Sequence, residues 1–271
     1  MITLGIDLSA EPKKTGYAKI VWSETGAHLN QLRVGADNDE LLALIETADK
    51  TGIDCPLGWP LAFLDFVIAH RDRSVPPNAA ERIRSRDTRA TDRYVRDQAL
   101  GRPLSVSTDR IGRAAMRVAG LLASIEERTR RTVDRAGSGH IVEVYPAAAL
   151  QQWLFAPGSY KSDRDRRRTL VQTFVSRTKA WLVLEDDQRQ LCERSDDAFD
   201  ALIAALNARA ATLPGGVVRP PDQAHAVAAG LEGWIAVPIC SLDDLAPRNG
   251  RRISQQVADP VHSLPGDAVH R

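Results

Sequence analysis

Short apolar segments separated by turn residues open the chain and predict a β-meander. Three of them have the length and apolar content of strands: residues 2–8, 15–21 and 29–34. The links between them are too short for a crossover connection, so we expect antiparallel pairing. A helical spacing of leucines follows over residues 39–50, and a fourth strand is predicted over residues 52–55, where Pro56 ends it. The predicted order is therefore strand, strand, strand, helix, strand.

Helical patterns dominate the rest of the chain. Residues 60–135 predict a mainly helical, Arg-rich insertion that ends in a helix over residues 113–131. Beyond it, the pattern predicts strands at residues 140–145 and 234–237 and helices at residues 147–155, 163–183, 195–211 and 224–229. No linker divides residues 1–246, so we expect them to form one α/β domain. Residues 247–271 are polar and aperiodic, and they predict a disordered tail.

The composition is that of an ordinary globular protein. Of the 271 residues, 43% are hydrophobic and 26% are charged, which is enough apolar material for a core. No run of about 18 apolar residues predicts a membrane span, and the first ten residues lack the pattern of a signal peptide, so we expect a cytoplasmic protein without a membrane partner. The three scattered cysteines form no CxxC pair and argue against a disulfide framework or a cysteine zinc site.

Positive charge is concentrated in the insertion, although the formal net charge is only +1. Residues 71–135 hold 16 arginines against 9 aspartates and glutamates, a pattern typical of contact with an anionic partner. We take Arg89, Arg93 and also Lys14, after the first strand, as candidate substrate contacts. The alternative is a solvated helix with internal ion pairs in a chain that simply prefers Arg, with 30 Arg against 6 Lys.

Two predicted strands end in the same three residues, Gly-Ile-Asp. Asp7 ends the first strand and Asp54 ends the fourth. Open α/β sheets place their sites at the carboxyl ends of strands, and neighbouring strands lie about 4.8 Å apart, so the two carboxylates converge if these strands pair. Like charges at that distance raise each other's pKa unless a cation lies between them, and Mg²⁺ prefers such oxygen ligands. The competing interpretation is that each Asp caps a turn or a helix start.

The helix predicted at residues 195–211 is a third source of carboxylates. Asp197 and Asp200 are three residues apart and share a helix face. The helix dipole explains an acid in the first turn, such as Asp197, but not Asp200, which lies deeper among apolar residues. Three carboxylate sources at one sheet end are typical of a metal site for phosphoester chemistry. Glu143 joins the candidate catalytic residues, because a charge is unexpected in the middle of a central strand.

The motifs together resemble known families. The opening M-I-T-L-G-I-D-L-S with T-G-Y-A is similar to the first hairpin of RuvC-type Holliday-junction resolvases, and D-A-F-D-A-L resembles the helix that carries their last two catalytic aspartates. The series G-I-D-C-P-L-G-W-P, R-A-T-D-R, V-E-V-Y-P, D-D-A-F-D-A-L and E-G-W-I resembles the domain of unknown function 429 family, predicted RNase-H-like nucleases, over roughly residues 2–238. Asp54 departs from the resolvase pattern, which has Glu there, and the Arg-rich insertion is not a resolvase feature.

The resemblance implies an RNase-H-like fold, with a five-stranded mixed sheet in the order 3-2-1-4-5, strand 2 antiparallel to the others, and flanking helices. It also implies Mg²⁺ or Mn²⁺, as two ions, held by Asp7, Asp54 and Asp197 or Asp200. In that chemistry one ion activates water and the other stabilises the leaving oxygen of a phosphodiester. The function expected from the resemblance is a metal-dependent nuclease whose substrate is DNA or RNA.

Two other classes of function stay open. A non-catalytic scaffold with the same fold would bind nucleic acid or protein without turnover. An actin-like or sugar-kinase-like ATP-binding protein shares the sheet, but it needs two such domains and a Gly-rich phosphate loop after the first strand, where this chain has S-A-E-P-K-K-T-G. Neither a GxGxxG nor a GxxxxGK[ST] motif occurs.

Overall fold

A computed structural model describes residues 1–76 and 83–247. The strands within these ranges are β1 (Ile2–Asp7), β2 (Gly16–Trp22), β3 (Ala27–Val34), β4 (Lys50–Asp54), β5 (Ile141–Glu143) and β6 (Leu182–Val183). The helices there are α1 (Asn38–Thr47), α2 (Leu61–Arg71), α3 (Ile83–Asp87), α4 (Ala90–Asp97), α5 (Gly112–Thr129), α6 (Pro146–Gln152), α7 (Arg164–Thr178), α8 (Asp186–Arg194), α9 (Asp196–Thr212) and α10 (Gln223–Glu232). The tail predicted from residue 247 onwards lies, apart from its first residue, outside the described residues.

The strands form one mixed sheet in the order β5-β4-β1-β2-β3-β6. Strand β2 runs antiparallel to β1 and β3, and the other neighbouring pairs are parallel. The prediction of five strands in the order 3-2-1-4-5 was therefore wrong in strand count and in one edge, because β6 pairs with β3 through Ala27 and His28. The helix predicted over 163–183 included the residues of β6, whereas the observed helix α7 ends at Thr178. Within 234–237, where a strand was predicted, the structure has a single isolated bridge, between Ile235 and Glu143.

Each face of the sheet carries its own apolar core, because successive strand residues point to opposite faces. Leu4 and Ile6 of β1 pack with α1 and α5 on one face. Ala18 and Ile20 of β2 pack with α7 and α9 on the other face. No helix within the described ranges has the length and apolar character needed to cross a membrane. Strands β1 and β4 are thus covered on both sides, and Asp7 and Asp54 at their carboxyl ends are partly exposed.

Glycines let α9 lie almost in contact with the sheet backbone. A Cβ on Gly5 would lie 2.1 Å from the carbonyl oxygen of Ala201, and a Cβ on Gly16 would lie 2.3 Å from that of Asp197. Gly16 is the β2 partner of Asp7. Ser195 caps this helix by accepting a hydrogen bond from the Ala198 amide. The first turns of α9 are therefore held against the end of β1, and this contact places its aspartates.

Candidate active site

Asp7 and Asp54 lie side by side at the carboxyl end of the sheet. They are direct partners in the parallel pairing of β1 with β4. Their backbones are fixed by buried neighbours such as Ile6 and Ile53, which are fully enclosed. The convergence of these two carboxylates, which the repeated Gly-Ile-Asp motif predicts, is what the register of the central strands produces.

Asp200 adds a third carboxylate from α9 and is completely buried. The Tyr160 hydroxyl donates to its Oδ1 at 2.5 Å, and the Lys161 ammonium lies 2.5 Å from its Oδ2. Both residues belong to the loop between α6 and α7. Asp200 is thus charge-balanced by one lysine whose side chain is itself half-exposed.

Burial and mutual repulsion disfavour ionisation of the strand-end carboxylates. Burial, with the charges of Asp200 and Asp54, raises the pKa of Asp7 well above its usual range. Burial likewise raises the pKa of Asp54 to about 7, and the cation of Lys161 opposes the shift. Burial alone would lower the pKa of Lys161, but Asp200, Asp54 and Asp7 raise it above its usual value. The site therefore holds excess negative potential, and one ammonium group compensates part of it.

A cavity of about 470 Å³ opens in front of these carboxylates. Its walls include Asp7, Asp54, Arg102, Tyr145, Tyr160 and Lys161, with apolar Leu104 and Ile111. Gly101 packs on Tyr145, whose hydroxyl donates to the Arg102 carbonyl at 3.3 Å, so the loop carrying Arg102 is fixed against the wall. The carboxylates thus face a concave, partly apolar space with a cation at its wall, and the space is large enough for a small substrate group.

The donor chemistry fits a hard divalent cation. Within the described residues no group of three or more His, Cys, Asp or Glu side chains stands ready to hold a metal ion. Mg²⁺, however, usually binds through one or two carboxylates, with water and substrate phosphate as its other ligands. Asp7 and Asp54 supply such a pair, since burial and repulsion act on both and neither gains a stabilising hydrogen bond from residues 1–76 or 83–247. The two residues that fit the ion are therefore these strand-end aspartates.

Arg89 and Glu143 are engaged with each other at the wall of the same cavity. The Arg89 guanidinium is 1% exposed. It donates to both oxygens of Glu143, at 2.7 and 2.8 Å, and to both oxygens of Asp92, at 2.8 and 3.1 Å. Glu143 also accepts from the Leu57 amide at 3.0 Å. These carboxylates occupy the guanidinium of Arg89, which argues against the phosphate contact predicted for it. Glu143 ties β5 to the start of α4 and also lines the cavity beside Asp54, so the catalytic role predicted for it stays a prediction.

The remaining predicted site residues differ in how closely they approach the strand-end aspartates. Asp197, in the first turn of α9, is half-buried, and burial with the neighbouring Asp196 and Asp200 raises its pKa. Lys14 is exposed and acts electrostatically on Asp197, so it lies at the rim of the site. Arg93 is exposed on α4, where its guanidinium donates to the Thr88 carbonyl. Of the predicted site residues, Asp7, Asp54, Glu143 and Arg89 thus line one cavity, and Asp200 and Asp197 are close enough to raise the pKa of Asp7.

Three residues of the site were not predicted from the sequence. Lys161 and Tyr160 lie in P-G-S-Y-K-S, a loop without periodicity, and Arg102 lies in a similar Gly-Pro loop. The sequence offered one indication of Lys161, the rarity of lysine, because Lys161 is one of only 6 lysines in a chain with 30 arginines.

One family model matches most of the chain. The family model described as "Protein of unknown function (DUF429)" matches residues 5–226, which include Asp7, Asp54, Lys161 and Asp200. The chain belongs to the DUF429 family. No curated protein and no solved structure matches the chain. Membership of DUF429 therefore shows the family of the chain and does not identify an activity.

Proposed function

We propose that this DUF429 protein is a metal-dependent nuclease that hydrolyses phosphodiester bonds by RNase-H-like chemistry. The observation that carries the proposal is the direct pairing of Asp7 with Asp54 at the end of two central parallel strands, with Asp200 of α9 close enough to raise the pKa of Asp7. Such a cluster is electrostatically unfavourable without a cation and is the donor set that Mg²⁺ or Mn²⁺ takes.

Asp7 and Asp54 would hold the divalent ion, and Asp197 would add negative charge from the first turn of α9. When bound, the ion supplies Lewis-acid activation of water and stabilisation of the departing oxygen. Tyr160 and Lys161 hold Asp200 through its two oxygens and keep α9 against the strands. The cavity walls exclude bulk water around the scissile phosphate, which strengthens every electrostatic contact there.

Cations around the cavity are placed to bind the nucleic-acid backbone. Arg102 lines the cavity and is exposed, and Lys14 lies at the rim. Both are free of the buried network that encloses Arg89. We therefore move the proposed phosphate contact from Arg89 to Arg102, and we keep Lys14 and Arg93 as outer contacts.

The test is a cleavage assay on single-stranded, duplex, hybrid and branched DNA and RNA, with Mg²⁺ or Mn²⁺ and with EDTA. We expect metal-dependent cleavage of at least one substrate, lost in Asp7→Asn. Absence of cleavage on every substrate, with both metals and a folded protein, would refute the proposal.

A non-catalytic scaffold of the same fold is the second candidate, and the Lys161–Asp200 ion pair favours it. An ammonium group already neutralises one of the carboxylates, so the cluster has a cation without any metal. A scaffold would bind nucleic acid or protein equally well in EDTA and after Asp7→Asn, whereas a nuclease would lose metal-dependent turnover.

A further inference from the structure

Lys161 is held at the carboxylate site by an anchored loop. The buried guanidinium of Arg167 donates to the Tyr160 carbonyl at 2.7 Å and to the Lys161 carbonyl at 3.2 Å. The same guanidinium donates to the Arg194 carbonyl at 3.0 Å, just before α9 begins. The backbone that carries Lys161 is therefore tied to the helix that carries Asp200.

The oxygens of the three carboxylates differ in their contacts. Asp200 has its Oδ1 occupied by the Tyr160 hydroxyl and its Oδ2 by the Lys161 ammonium. Within the described residues, by contrast, the side chains of Asp7 and Asp54 meet only the charges around them and receive no hydrogen bond that lowers their pKa. The Lys161 ammonium thus makes its direct ion pair with Asp200 on the helix side of the cluster, whereas Asp54 and Asp7 feel its charge without such a contact.

We infer that Lys161 takes the place of a second divalent ion, so that the site binds one ion on Asp7 and Asp54 instead of two. The inference rests on the proposed function, since it needs a divalent ion at these aspartates. It replaces the two-ion expectation with one ion and a fixed ammonium group. That ammonium then faces the cavity beside the ion, where it stabilises negative charge on a bound phosphate.

Titration of metal-free protein with Mn²⁺, followed by calorimetry, tests the inference. Lys161→Met removes the charge and keeps most of the side-chain length, and Lys179→Met, at an exposed lysine after α7, is the matched control. We expect one Mn²⁺ per chain for wild type and Lys179→Met, and two for Lys161→Met. The melting temperature of Lys161→Met should fall in EDTA, and its gain from Mn²⁺ should be about twice that of wild type, because each bound ion adds its own stabilisation.

Electron paramagnetic resonance of wild type at saturating Mn²⁺ covers the case in which Lys161→Met fails to fold. A single uncoupled Mn²⁺ signal is expected, and a spin-coupled pair would overturn the inference without any variant. Two ions in wild type, no bound ion in wild type, or a Lys161→Met protein that matches Lys179→Met in stoichiometry and melting would overturn it as well.

The outcomes separate this inference from the proposed function. One bound Mn²⁺ in wild type and two in Lys161→Met, without cleavage of any substrate, would leave the role of Lys161 standing and remove the nuclease. Cleavage by a wild-type protein that binds two ions would keep the nuclease and remove the role of Lys161.

Discussion

Replacement of Arg89 tests whether the buried network supports the fold or binds substrate. Arg89→Met removes the guanidinium and keeps an unbranched side chain of similar length. Glu143 and Asp92 then lose the donors that reach them at 2.7–3.1 Å, and both carboxylates stay in a buried position. The substitution therefore leaves two buried acids without their cation.

The expected loss of stability at pH 7 is about 3–5 kcal/mol, the cost of breaking a buried ion pair by removing one partner. For a domain of this size that corresponds to a fall in melting temperature of roughly 6–20 °C. The loss should shrink at pH 5. Burial raises the pKa of Glu143 even with Arg89 present, and without Arg89 its neutral form is favoured further. A carboxyl with a raised folded-state pKa stabilises the fold below its unfolded-state pKa, and the contribution is lost as the pH rises through the folded-state value.

Urea unfolding at pH 7 and pH 5 measures this effect, with Arg93→Met as the matched control. Arg93 lies in the first turn of α4, which begins directly after Arg89, but is exposed, so its replacement should change the unfolding free energy by less than about 0.5 kcal/mol. The triple variant Arg89→Met, Asp92→Asn, Glu143→Gln should regain part of the loss, because no buried charge is left unpaired. An Arg89→Met protein as stable as wild type, with weakened nucleic-acid binding, would refute the structural assignment.

Three further predictions concern the site and the tail. In EDTA, the unfolding free energy of wild type should fall relative to that of Asp54→Asn between pH 4 and pH 7, by at most about 1.4 kcal/mol per pH unit. The reason is that the folded protein keeps a proton on Asp54 up to about pH 7, whereas the unfolded chain has already lost it. If urea unfolding gives the same pH dependence of the unfolding free energy for both proteins, the prediction is contradicted. Arg102→Gln should weaken nucleic-acid binding and reduce the slope of log affinity against log salt by about 1, whereas an unchanged slope would exclude a phosphate contact. Removal of residues 247–271 should leave the melting temperature within a few degrees, about the shift that 1 kcal/mol produces, and a larger fall would show that the tail packs on the domain.

The strand-end aspartates could be predicted because a local pattern determines their position. An apolar strand that stops at Asp fixes where the carboxylate lies once the strand is in the sheet, and Gly-Ile-Asp occurs twice at such ends. Asp200 could be predicted because a charge among alanines deep in a helix has no local explanation. Both arguments need only the periodicity of strands and helices.

The role of Arg89 could not be predicted, because it depends on a contact between distant residues. Glu143 was conspicuous as a charge within a strand, but its partner lies 54 residues away, just before α4, and looks in sequence like the other arginines of the insertion. Lys161 was missed for a similar reason, since the loop that carries it has no period and is placed by Arg167 and α9. Strand β6 has only two residues, too few for an alternating pattern.

The measurement that tests the nuclease most directly is the initial rate of oligonucleotide cleavage as a function of Mn²⁺, for wild type, Asp7→Asn and Asp39→Asn purified side by side. Asp39 is exposed on α1, so its variant reports the same charge change away from the site and controls for contaminating nucleases. We predict that wild type and Asp39→Asn cleave at the same Mn²⁺-dependent rate, and that Asp7→Asn is slower by at least about 100-fold. Equal rates in all three proteins, or cleavage that persists in EDTA, would contradict the assignment of the strand-end aspartates as the catalytic metal site.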